Sequence, residues 1–113
     1  MSVEREDSDR RTYVRIVLAL YVQTPGVLGR VRRTDRDLAH SLFDQKVPLY
    51  AVEIALIVGA ARRTQHNALS TPLPPIRSLH YFRELFREML ERPPGYREID
   101  ALRRSLGVAP PPS

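Results

Sequence analysis

The chain has no cysteine. That removes a disulfide framework, a thiolate zinc site and a cysteine nucleophile together, and fits a reducing, cytoplasmic setting. Histidine is sparse: His40, His66 and His80 lie far apart, and no His-Glu-x-x-His or similar ligand pair occurs, so no metal site is expected. The five glycines are scattered and match neither a phosphate loop nor a dinucleotide loop. The longest apolar run, Val47 to Ala61, holds Pro48 and Glu53 and falls short of the ~20 residues of a spanning helix, so no membrane segment is expected. The first dozen residues are charged rather than apolar, so no signal peptide is expected either. Lysine is nearly missing: Lys46 is the one exception among eighteen basic residues, the rest being arginine.

What is present is ordinary for a globular protein: 42% hydrophobic and 27% charged residues in 113, enough for one domain with one core. The net charge is +5 and the pI near 10.2. A positive field attracts polyanions, and the planar arginine fork suits phosphate. The competing account is compositional bias toward arginine, with no polyanion bound.

The chain divides into a flexible charged arm (1–9), a helical domain (10–107) and a Pro-rich tail (108–113). Tyr13 to Val22 is apolar almost all round; its length favours a helix over a strand, and Thr24-Pro25-Gly26 ends it. Val27 to Arg33 is a basic connector carrying Arg30, Arg32 and Arg33. Thr34 and Asp37 have capping-box spacing before Leu38, Ala39, Leu42 and Phe43, which share one helical face. Lys46-Val47 is a short turn. Pro48 opens a helix to about Arg63 that is apolar on nearly every side and so belongs at the centre of an all-α domain of about five helices. Glu53 interrupts it and is expected to be buried against an arginine, since a buried carboxylate needs a partner or a proton. Asn67 to Pro75 is a Pro-rich loop. A last helix, Tyr96 to Leu106, puts Tyr96, Ile99, Leu102 and Leu106 on one face and ends at Gly107.

Arg77 to Leu90 is the most informative stretch. Leu79, Phe82, Leu85, Phe86 and Met89 form an apolar stripe, with Arg77, His80, Arg83, Glu84 and Arg87 on the other side. Arg77, Arg83 and Arg87 are expected to cluster as a phosphate-binding face. Glu84, Glu88 and Glu91 are positioned to neutralise it, in which case the connector arginines become the site. His40 and Asp44 are four apart on one helix and read as a surface pair. No nucleophile or second acid accompanies Glu53. No catalytic residue and no cofactor is therefore expected, and the chain does not read as an enzyme.

Two helices flank the turn at Lys46-Val47-Pro48 like a helix-turn-helix, but the second shows Leu49, Val52, Ile54, Leu56, Ile57 and Val58, which suit a core rather than a DNA groove. The order of features from Asp35 to Leu90 resembles the helical domain of DnaD-type bacterial and phage replication proteins. That domain has a helix beginning with a motif Tyr-x-x-x-Ile-Leu; here Tyr81-Phe-Arg-Glu-Leu-Phe86 stands in its place, with Leu85 for the isoleucine and Phe86 for the leucine. Arg77-Ser78-Leu79-His80 precedes it, as a basic residue, a small polar residue and a leucine do in the family. The resemblance covers about half the chain; both final motif positions are replaced and the Pro-rich loop is longer. It implies DNA binding and assembly at replication initiation, helicase loading included. It points to Tyr81, Leu85 and Phe86, with Arg77, Arg83 and Arg87 as phosphate contacts.

The resulting expectation is a non-catalytic DNA-binding accessory of replication or of a mobile genetic element. Its contacts would be Arg77, Tyr81, Arg83 and Arg87, with Arg30, Arg32 and Arg33. Single- and double-stranded DNA, a replication protein and a second copy of the chain are the candidate partners. The alternative is a protein–protein adaptor or homodimer that uses Tyr13, Tyr21 and the apolar faces of the first and third helices.

Overall fold

A computed structural model describes residues 3–69 and 71–107; the Pro-rich tail lies outside the described residues. Five α-helices occur among them: α1 (Val3–Val22), α2 (Arg33–Asp44), α3 (Leu49–Leu69), α4 (Arg83–Glu91) and α5 (Tyr96–Leu106), with a 3-10 turn, Leu79–Phe82, leading into α4. The protein is an all-α domain. Among the described residues the one β-bridge is parallel, Val27 with Ile76. No helix of the described residues is long and apolar enough to cross a membrane.

The charged segment before Arg10 is helical from Val3 on, not an irregular arm. Glu6, Asp7 and Asp9 put negative charge near the helix start, where the peptide dipoles favour it. Residues 5–9 are solvent-exposed, so they add helix but no core.

Helix α3 is central, packing against α1, α4, α5 and the 3-10 turn. Ala51, Val52, Ala55, Leu56 and Val58 are all buried in the core. This is ordinary helix packing, as its apolar sequence suggests. The helix does not close at Arg63 but continues to Leu69. Arg63 is buried instead, and its Nη2 donates to the carbonyls of Leu73, at 2.8 Å, and of Pro74. Charge there serves to hold the Pro-rich loop rather than to complement a helix end.

The α2–α3 turn is a Schellman motif. Val47 N–H donates to Leu42 O at 3.0 Å and Lys46 N–H to Phe43 O at 3.0 Å, with Lys46 in the left-handed region (φ 59°) that usually takes glycine. Leu42 and Val47 complete it as a buried apolar pair.

Helix α5 lies on α3. Leu102 packs on the core and the Arg103 guanidinium pairs with Glu53. The arginine partner expected for Glu53 is there, but the carboxylate side chain keeps 34% of its exposure, so it is not a deeply buried charge. Tyr96 is exposed and does not join Ile99, Leu102 and Leu106, which are half-buried. Gly107 ends the helix with φ 71°.

Tyr13 and Tyr21 face the chain's own interior. The Tyr13 hydroxyl donates to Val47 O at 2.7 Å. Tyr21 is fully buried, edge-on to Phe82 at 6.4 Å between ring centroids. Its hydroxyl has no hydrogen-bond partner among the described residues. Burial pushes both phenols up to about 12, and for Tyr21 the neighbouring Asp35 adds to the effect. A phenol raised in the folded state stabilises fully below its unfolded value near 10 and loses that contribution as pH climbs toward 12. Stability should therefore fall across that window. Tyr21→Phe should leave stability at pH 7 unchanged or raise it by ~1 kcal/mol, since it removes a desolvated, unpaired hydroxyl. It should also shrink the alkaline loss. Denaturant titrations at pH 7, 10 and 11.5 check both; a variant clearly weaker at pH 7 would mean that the hydroxyl is hydrogen-bonded.

Candidate nucleic-acid interface

The interface begins with a backbone device. Gly26, at φ 91°, turns the chain after α1, and its carbonyl accepts from Ile76 N at 2.7 Å. Leu28 N–H donates back to Ile76 O at 3.0 Å. Ile76 is buried and anchors the contact, while Pro74 and Pro75 before it favour extended backbone. Arg63 clamps the same loop from α3, and Asn67 Oδ1 accepts Leu73 N–H at 2.8 Å. The Pro-rich loop is thereby held against the basic connector.

The consequence is a shared concavity of about 290 Å³ lined by Leu28, Arg30, Arg32 and Arg77. Arg77 and the connector arginines, more than forty residues apart in sequence, meet there. No carboxylate lines the concavity, and among the described residues none of Arg30, Arg32, Arg33 or Arg77 is in an ion pair. Cations held together without counter-charge repel one another, and a bound anion relieves that repulsion.

Of the expected cluster, Arg77 lines the concavity beside the connector arginines rather than the groove that holds Arg83 and Arg87. Arg83 and Arg87 line a separate groove with Leu38, Leu42 and Leu90. Residues 83 and 87 share a helix, but Arg77 precedes it and directly follows Ile76, which bridges to the connector. Arg87 is also neutralised by Glu84 at 2.7 Å, and Arg62 takes Glu88 at 3.1 Å. Tyr81 is half exposed and stands edge-on to Phe82, at 5.1 Å and 72°. Phe86 is buried and Leu85 packs on the core, so neither is a free contact residue. Arg33 is exposed at the start of α2. His40 and Asp44 do not pair with each other; both contact Arg10, whose guanidinium also lies over Phe43 at 4.8 Å.

One organising residue was missed by sequence reading. Asp35 is completely buried. Its Oδ2 accepts from Arg32 N–H at 2.9 Å, and its Oδ1 accepts from Leu79 N–H at 2.8 Å and from Ser78 Oγ at 3.3 Å. Ser78 Oγ in turn accepts from His80 N–H at 3.1 Å and so caps the 3-10 turn. One carboxylate thus starts two helices and fixes the backbone of Arg32. The capping acid is Asp35 rather than Asp37, because α2 begins at Arg33. The only signal was the presence of two aspartates near one helix start.

Among the described residues no group of three His, Asp or Glu side chains could hold a metal ion. No family model, curated protein or solved structure matches this chain.

Proposed function

We propose that this chain is a non-catalytic, cytoplasmic DNA-binding accessory protein of replication or of a mobile genetic element, and that Arg30, Arg32 and Arg77 grip phosphate. The observation that carries the reading is that these three arginines, none in an ion pair among the described residues, line one concavity without a carboxylate in its lining. Arg33 and the half-exposed Tyr81 are secondary contacts, Tyr81 as a ring on which a base stacks. The replication setting rests on the DnaD-type resemblance of Asp35 to Leu90, and with it a replication protein as partner. Tyr13 and Tyr21 support the adaptor reading less, since Tyr21 is inside the fold and the Tyr13 hydroxyl is held by Val47.

The test is an anisotropy titration of labelled single- and double-stranded DNA at two salt concentrations. Replacing Arg30, Arg32 and Arg77 by alanine should weaken binding by roughly 10- to 100-fold and lower the salt slope by ~2–3, at 0.7–0.9 per phosphate contact. Folding should survive, because all three are exposed. Arg83→Ala with Arg87→Ala should do less. The reverse order would move the site to the α2–α4 groove, and a wild-type chain without affinity for either DNA would end the DNA reading.

A further inference from the structure

We propose that the groove between α1 and α2 is a docking site for an acidic amphipathic helix of a partner protein. Arg11, Val14, Arg15, Leu18, Ala19 and Val22 recur at three- and four-residue spacing and make one face of α1. That face runs along three turns, about 16 Å at 1.5 Å per residue. Val31, Arg36 and His40 line the other side of an open depression of about 430 Å³.

The two chemistries in this groove are separated. Its floor is apolar: Ala19 is exposed, Val22 and Val31 are half-buried, and Val14 and Leu18 lie beneath them in the core. Its rim carries Arg11, Arg15 and Arg36, all exposed, none in an ion pair among the described residues, and no carboxylate lines it. A helix laid in a groove presents one apolar stripe to the floor and its flanking side chains to the rim. Three cations on the rim select carboxylates at those flanks. DNA fits less well, because phosphates on the arginines leave the apolar floor unfilled. A fatty acid brings one carboxylate to three cations. The site shares no residue with the phosphate concavity, so it stands or falls apart from the DNA reading.

The probe is a labelled synthetic peptide of about four turns, with leucines on one stripe and glutamates beside it. Controls are a scrambled peptide of the same composition and a version with lysine for glutamate. The acidic amphipathic peptide should bind; the scrambled peptide should bind at least about tenfold more weakly and the lysine peptide not at all. Arg11→Glu, Arg15→Glu and Arg36→Glu together should weaken binding roughly tenfold or more. Ala19→Trp, at an exposed position, fills the floor without changing charge and should weaken binding as strongly. Circular dichroism confirms that each variant is folded. Equal binding of the scrambled peptide, or full binding by Ala19→Trp, would reduce the site to diffuse charge attraction and overturn the proposal. No binding of the acidic peptide would also overturn it. Loss of DNA affinity in the triple variant, without peptide binding by the wild type, would assign these arginines to nucleic acid.

Discussion

Asp35→Ala should destabilise the domain by ~3–5 kcal/mol, which for this chain length is a fall in melting temperature of roughly 12–20 °C. The side chain is fully buried and accepts two backbone N–H groups, from Arg32 and Leu79. Hydrogen bonds to a charged acceptor are worth ~1.5–3 kcal/mol each, and the Leu79 N–H is left without an acceptor in the interior. Asp35→Asn keeps a carbonyl acceptor and should lose about half as much. Asp37→Ala, at an exposed position, should stay within ~0.5 kcal/mol. Thermal denaturation of the three variants settles the order. A larger loss from Asp37 than from Asp35 would show that the helix begins two residues later.

The same pair of aspartates shows where sequence reading stops. Helix periodicity located α2 and α3, and the nearly all-apolar surface of α3 was enough to place it at the centre. Those are local patterns, and burial of a stripe or of a whole surface follows from them directly. Which of Asp35 and Asp37 turns inward depends on Leu79, forty-four residues away. Nothing in the local spacing records that. The arginines follow the same rule. Arg83 and Arg87 lie on one groove because they share a helix, whereas Arg77 joins Arg30 and Arg32 only through the Val27–Ile76 bridge. Arg63 stands where the apolar run of α3 gives way to charge. Its burial became legible only when the Pro-rich loop folded back to offer carbonyls at Leu73 and Pro74.

Gly59→Val should cost ~3 kcal/mol, and the loss should depend on Phe82. Glycine in a helix interior is ordinarily a weakness, and Ala in its place gains up to ~1 kcal/mol of helix propensity. Here space decides against the gain. A Cβ at Gly59 would lie 2.7 Å from Phe82 Cδ1 and Cε1 and 2.9 Å from Leu85 Cδ1. Phe82 cannot retreat, because it is fully buried and meets Tyr21 edge-on behind it. The absent side chain is thus what lets the 3-10 turn and α4 close on α3, and so holds Leu79 within reach of Asp35. Gly59→Ala should lose ~1–2 kcal/mol net of the propensity gain. Phe82→Leu alone should also destabilise, by leaving a cavity. Combined with Gly59→Ala it should cost less than the sum of the two by ~1 kcal/mol or more, since each change relieves the other. A double-mutant cycle by urea unfolding measures this coupling. Additive losses would mean that the backbone shifts to accept the new methyl, and a Gly59→Ala variant more stable than the wild type would show that α3 and the 3-10 turn do not pack this closely.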